Sequence, residues 1–255
     1  MKLTGKVALV TGGGGGIGGE LCRAMARQGA VVAVNDVRAD RVDTVTADIV
    51  GSRGRAVAAL GDVTNARGMR SIVDEVVHKF GSIDILVTCA ANYGRRACLD
   101  EMEEGEWASL VNCHLNGTAY AIQAVIPNMK KRSAGRIVTF SSTVGFTGMP
   151  TASHHAAAKA GIKNLTKSAA AELAPFGITV NCISPTYTDT DFLIGPYTDE
   201  QRAAMASVIP LGRMGKPSDM VEPLFLFVGT GGDFITGEVL HVDGGRTLSY
   251  TRPWH

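Results

Sequence analysis

Along this chain the hydrophobic pattern switches repeatedly between two periods. Compact apolar runs, many of them β-branched, fall at residues 7–10, 31–35, 56–60, 83–88, 135–141, 178–183 and 238–242. Runs this short and this uniformly apolar suit strands covered on both faces. Between them lie stretches with apolar residues three and four apart, at about 16–28, 40–50, 65–80, 103–131, 153–173 and 217–228. In the third of these, Met69, Ile72, Val73, Val76 and Val77 share one helical face, and Gly81-Ser82 closes it. Pro127 is expected to end or kink the longest one. Strand and helix in alternation predict an α/β fold, a doubly wound parallel sheet of about seven strands with helices on both faces.

No internal repeat, low-complexity tract or linker divides the chain, so residues 1–255 read as one domain. One segment breaks the alternation. From 184 to about 215 the sequence shows neither period, yet it carries Tyr187, Phe192, Leu193, Ile194 and Tyr197. Loops of that length in a compact domain are usually functional, and the preferred reading is a substrate-covering loop near 186–215. A satellite cluster packed on the body is the alternative.

The first strand runs into five consecutive glycines, Gly12 to Gly16, and the chain recovers as a helix through Ile17 and Gly18. Strand, glycine turn and helix N-terminus make an anion site, because backbone N–H groups can approach a pyrophosphate and the helix dipole favours its charge. Five glycines in a row satisfy almost any glycine motif, so the context decides. The second strand ends in Asp36, about 20 residues beyond the turn, where a dinucleotide site places the acid that binds ribose hydroxyls. Turn and acid together predict dinucleotide binding.

Composition narrows the class without naming a chemistry. Lys+Arg is 25 and Asp+Glu 24, so no bulk charge points to nucleic acid or to a membrane. Five cysteines (Cys22, Cys89, Cys98, Cys113, Cys182) show no CxxC spacing, which argues for free thiols in a reducing, cytoplasmic compartment and against a zinc site. The N-terminus reads as the first strand and not as a signal segment, and no apolar run approaches a membrane span.

Taken together, Thr11-Gly12 through Gly16-Ile17-Gly18, Asp36, Asp62-Val63, Ser142, Lys159, Pro185 with Thr190, and Ile235-Thr236-Gly237 to Val242-Asp243-Gly244-Gly245 resemble the short-chain dehydrogenase/reductase family over nearly the whole chain. The resemblance implies a single-domain Rossmann fold, a nicotinamide cofactor and a homotetramer. It places Asp62 and Val63 beside the adenine, Pro185 and Thr188 near the nicotinamide, and Lys159 on the ribose, with Thr190 among the cofactor contacts. Cys89 and Ala90, after the fourth strand, join the cofactor contacts by the same resemblance.

Three departures fall around one site. The family's catalytic tyrosine, four residues before the lysine, is His155 here. The asparagine position, counted from Trp107 and anchored by Leu115 and Gly117, holds His114. The family's Asn-Asn-Ala-Gly is replaced by Thr88-Cys89-Ala90-Ala91. Helical spacing still sets His155 beside Lys159, while His154 points elsewhere. A tyrosine in this role needs its pKa of about 10 pulled down, whereas a histidine starts near ~6.5 and a positive neighbour pushes it lower. Neutral imidazole can accept a proton from an alcohol.

The expectation is therefore an NAD-dependent oxidoreductase acting on a hydroxyl or carbonyl of a small, partly apolar substrate. Ser142 would polarise the oxygen, His155 act as acid/base, Lys159 hold the cofactor and His114 order water. Two rivals stay open: a fold-mate that moves protons without redox chemistry, and a cofactor binder without turnover. A metal site from His114, His154 and His155 is disfavoured, since the helical faces disagree and no carboxylate or cysteine partner is apparent. Arg38 is the residue that could admit a 2′-phosphate in spite of Asp36. Arg95 and Arg96 read first as solvated loop charges and second as a site for an anionic substrate.

Overall fold

The computed structural model describes residues 2–92, 94–190 and 198–248. Two of the apolar runs form interior strands of its sheet. β1 (Val7–Thr11) and β2 (Val31–Asn35) are buried at every position, which is why neither run alternates. β3 (Arg55–Ala58) sits at the sheet edge with mixed exposure, and β4 (Ile85–Thr88), β5 (Gly135–Phe140), β6 (Ile178–Pro185) and β7 (Val239–Val242) complete the sheet. Its seven strands run in the order β3-β2-β1-β4-β5-β6-β7, all parallel. This is a single-domain Rossmann fold, as the alternation and the resemblance lead one to expect.

The connecting helices, in chain order, are α1 (Gly16–Arg27), α2 (Ala39–Gly51), α3 (Ala66–Phe80), α4 (Glu104–Val111), α5 (Gly117–Arg132), the single turn α6 (Val144–Thr147), α7 (Ser153–Leu173), α8 (Asp199–Ser207) and α9 (Val221–Val228). Leu21, Met25, Val45, Leu224 and Phe227 of α1, α2 and α9 pack on Val10, Val34 and Val87 on one face of the sheet. Ile72, Val125, Met129 and Leu173 of α3, α5 and α7 pack on Leu9, Leu86 and Ile137 on the other. The chain runs outward from β1 to β3, crosses back to β4 and then continues the opposite way. That reversal leaves an uncovered crevice at the C-terminal ends of β1 and β4. Thr11 pairs with Asn35 on one side and Thr88 on the other, so Gly12, Asp36 and Cys89 leave the sheet at one edge.

Three expectations are corrected in detail. The long helix at 103–131 is interrupted: α4 and α5 are joined by a π-turn, Asn112–Asn116, that carries His114. Pro127 lies inside α5 without ending it; the proline is exposed, so the carbonyl it cannot satisfy turns to water. The irregular stretch after 184 holds a further helix, α8, closed by a capping box in which the Gln201 N–H donates to Thr198 Oγ1 at 3.3 Å and the Thr198 N–H to Gln201 Oε1 at 3.0 Å. Phe192, Leu193, Ile194 and Tyr197 lie outside the described residues. Among the described residues, no helix is long and apolar enough to cross a membrane.

Candidate active site

One cavity of about 810 Å³ opens along the C-terminal edge of the sheet. Its wall follows the glycine turn (Gly12, Gly16, Ile17, Gly18), Asp36, Asp62 and Val63, Cys89 and Ala90, then Ser142, His155 and Lys159, and finally Pro185, Thr188 and Thr190. Segments far apart in sequence meet here because the parallel strands all end at this edge.

The turn is shaped by what cannot be there. Gly12 has φ +66°, and a Cβ on it would stand 2.7 Å from the Ala90 backbone, so the turn lies directly on the loop after β4. A Cβ on Gly18 would run into the Gly12 carbonyl, which holds α1 tight against the turn. A Cβ on Gly16 would stand 2.7 Å from Thr190, bringing the segment after β6 over the glycines. The groove that remains ends at the N-terminus of α1, which has no side-chain cap and whose first N–H groups lack intrahelical partners, as a pyrophosphate site requires. Asp36 Oδ1 accepts from the Arg38 N–H at 3.1 Å, and the Arg38 guanidinium is turned to Asp40, with nitrogens at 2.7 and 3.2 Å from its carboxylate. The residues present fit a dinucleotide.

Ser142, His155 and Lys159 are set on α7 and the turn after β5. Lys159 is buried, and its Nζ donates to the Phe140 carbonyl at 3.0 Å. Burial pushes its pKa below the usual lysine value, against a pull from the thiols of Cys89, Cys182 and Cys113. The same burial raises Cys89, and takes Cys113 up to about 11, so neither thiol is a ready nucleophile. Ser142 stands at the turn, where its Oγ accepts a long bond, 3.4 Å, from the Val144 N–H. α6 sits on α7 so closely that a Cβ on Gly145 would come 2.6 Å from the Lys159 carbonyl carbon.

His155 lies one helical turn before Lys159 and lines the cavity. Burial, then the Lys159 cation and His154, push its pKa down to about 3. Its place in the first turn of α7, at the positive end of the helix dipole, acts in the same direction. The imidazole is neutral at physiological pH.

His114 takes a position behind the wall. It is fully buried, it does not line the cavity, and its ring meets that of His155 edge to face with centroids 5.2 Å apart. Nε2 lies 3.0 Å from the Asn92 carbonyl oxygen and 3.1 Å from the Asn92 nitrogen, whereas Nδ1 has no partner. One nitrogen cannot donate and accept along both contacts. Protonated, Nε2 donates to the Asn92 carbonyl; unprotonated, it accepts from the Asn92 N–H, so either tautomer ties the ring to the same backbone. Burial, Lys159 and His155 hold its pKa well below the ordinary value. His114 thereby fixes the loop carrying Asn92, a cavity residue that sequence reasoning did not single out.

His154 departs from its expected place. It lies about 100° around the helix from His155, yet it too lines the cavity, 1 % exposed, with neither ring nitrogen partnered among the described residues. The cause is tertiary. The loop after β4 folds across the start of α7, and Gly94 lies against His154 Nε2. Burial lowers its pKa, although the Glu106 carboxylate and the nearby Ala152 carbonyl favour the charged form. Of the two loop arginines, Arg95 is bound to Glu106 Oε1 at 2.7 Å and to the Glu101 carbonyl at 2.8 Å, while Arg96 lines the cavity. Among the described residues, no group of three or more histidine, cysteine or acidic side chains is placed to hold a metal ion.

Comparison with known proteins points one way. Residues 12–247 match the family model described as enoyl-(acyl carrier protein) reductase. The chain is 35% identical to a 3-oxoacyl-(acyl-carrier-protein) reductase of Thermotoga maritima, over 97% of this chain and 100% of that one. It is 36% identical to a cis-4-hydroxycyclohexanecarboxylate dehydrogenase of Sinomonas cyclohexanicum, over 95% and 96%. Among solved structures, a gluconate 5-dehydrogenase from Burkholderia cenocepacia, in complex with NADP and tartrate, superposes with a TM-score of 0.92 at 32% identity and covers 98% of both chains.

Proposed function

Because the chain belongs to the short-chain dehydrogenase/reductase family, we propose that it is an NAD(H)-dependent oxidoreductase interconverting a hydroxyl and a carbonyl on a small, partly apolar substrate. The observation that carries this reading is that Ser142, His155 and Lys159 line the same cavity as the glycine turn and Asp36. The relatives with printed activities are reductases and dehydrogenases, two of them named for hydroxylated acids.

A bound nicotinamide dinucleotide supplies the hydride acceptor or donor. The chain's residues do the rest. Gly12 and Gly16 to Gly18 offer N–H groups to the pyrophosphate, Asp62, Val63, Cys89 and Ala90 flank the base side, and Pro185, Thr188 and Thr190 close the far end. Ser142 Oγ donates to the substrate oxygen. His155, neutral, takes the hydroxyl proton during oxidation and passes it to solvent; in the reduction direction it must first be protonated from solvent, which its depressed pKa disfavours. Lys159 places a cation beside both the cofactor ribose and His155. His114 orders the Asn92 backbone, and so the water and substrate groups that backbone meets. From the described parts of the loop near 186–215, Tyr187 and Met205 line the cavity and would contact the substrate.

NAD(H) is preferred because Asp36 would repel a 2′-phosphate and Arg38 spends its charge on Asp40. The assembly is a homotetramer through the two long helices, with Ala157 and Ala160 of α7 exposed for close approach while Ala156 and Ala158 pack inward. Sedimentation at micromolar concentration reads that state directly.

The test is a panel of secondary alcohols with NAD, following reduced cofactor. His155→Ala should cost ~10²–10⁴-fold in rate and leave NAD affinity intact. His155→Tyr is sharper. If that variant oxidises common alcohols while the natural protein oxidises none, the natural site is not a standard dehydrogenase.

A further inference from the structure

The two neighbouring arginines of the loop after β4 have different fates. Arg95 is tied to α4 by its bond to Glu106 and to the turn before it by its bond to the Glu101 carbonyl. Arg96 is exposed, lines the cavity, and makes no ion pair or hydrogen bond among the described residues. A loop that flailed in solvent would not single out one guanidinium. This loop is pinned instead: the Ala97 N–H donates to the Thr151 carbonyl at 2.9 Å, and Gly94 lies on the His154 ring. Arg96 is thus carried between two fixed points against the start of α7.

His154 is the second observation. It is a buried imidazole on the same wall, and among the described residues neither nitrogen makes a hydrogen bond, an arrangement that costs free energy unless a ligand oxygen completes it. Neutral imidazole offers one N–H, and guanidinium offers a planar fork matched to a carboxylate. The neighbouring wall, with Leu110 and Met149, is apolar. An apolar body ending in one anionic group fits that surface.

We propose that Arg96 and His154 form a carboxylate-binding end of the substrate cavity, so that the substrate is a hydroxy or oxo acid with an apolar body. The inference rests on the oxidoreductase reading and deepens it. Arg96 carries the charge recognition. His154 supports the loop beneath Gly94 and turns its N–H to the carboxylate when the acid seats. Arg246, on the turn after β7, is another cation of the cavity wall and therefore serves as the control.

The experiment is calorimetry on protein saturated with cofactor, titrated with hydroxy acids and with the methyl esters of the same acids. The acids should bind at least ~10-fold more tightly than the esters, a charge-assisted bidentate contact being worth that much. Arg96→Gln should abolish the difference and leave ester affinity unchanged, whereas Arg246→Gln should keep it. His154→Phe, which preserves the packing beneath Gly94, should reduce the preference only partly. Equal binding of acid and ester overturns the proposal, as does a preference that survives Arg96→Gln or disappears with Arg246→Gln. Cofactor reduction is followed in parallel. Acid binding through Arg96 without turnover would leave this site standing while the dehydrogenase reading fell; turnover of acid and ester alike would do the reverse.

Discussion

His155 shows how far a residue's surroundings can move its chemistry. In water an imidazole titrates near ~6.5, and the sequence alone places its ionisation at or below that value. Burial and Lys159 take it to about 3, so the proton-accepting form is present throughout the working range. The kcat/KM for alcohol oxidation should then show no limb near ~6.5, and should fall only toward strongly acid pH. A profile that rises with a midpoint near ~6.5 would mean that His155 is not the base. His114 carries the same physics into stability. Its folded pKa is depressed while the unfolded chain titrates near ~6.5, so below that value the unfolded state binds the extra proton. Stability should therefore rise with pH up to about 6.5 and decline on acidification below it. His114→Asn should flatten that decline, read as the urea midpoint against pH. An unchanged slope would place the titration elsewhere.

Among the elements, the contact of α6 with α7 decides whether Ser142 and Lys159 face each other usefully. Ser141 Oγ donates to the Lys159 carbonyl at 2.7 Å, and the Thr143 N–H donates to the Pro185 carbonyl at 2.9 Å. These bonds fix the turn between β6 and α7, and Gly145 allows the remaining approach. Gly145→Ala forces a Cβ against the α7 backbone, where nothing flexible can yield. It should cost ~1–3 kcal/mol of stability and lower kcat more than it raises KM, checked by denaturant unfolding and steady-state kinetics. Nearly wild-type behaviour would show that α6 can lift without consequence. The π-turn is the other element that matters here. An extra residue in the helix turns His114 inward beside His155, and π-turns occur frequently at functional sites.

Across the whole molecule, the cavity joins every strand end from β2 to β6, so a ligand lying along it ties the fold together. Anything bound to the folded state alone stabilises it by mass action, about 2.7 kcal/mol at a hundredfold excess over Kd. NAD should therefore raise the melting temperature more than NADP at equal concentration, because Asp36 faces the cavity and Arg38 is held by Asp40. An equal or larger shift with NADP would overturn that preference. The Burkholderia cenocepacia neighbour, solved with NADP, makes the comparison a demanding one.

Much of this was legible along the chain. Periods of two kinds in alternation dictate a parallel sheet between helices, since strands buried on both faces must be apolar on both. Glycine turn and Asp36 follow from local backbone chemistry, and i,i+4 spacing alone sets His155 beside Lys159. The capping box at Thr198 is equally local, but the reading of 184–215 as irregular missed it and with it α8. What only the tertiary structure decided is the set of contacts between segments with no common period. The burial that takes His155 to about 3, the loop that lays Gly94 on His154, and the divergence of Arg95 from Arg96 all depend on which segments meet at the sheet's C-terminal edge. A sequence records side-chain chemistry and local geometry; dielectric surroundings and unpartnered polar atoms come into being only when distant segments exclude water together.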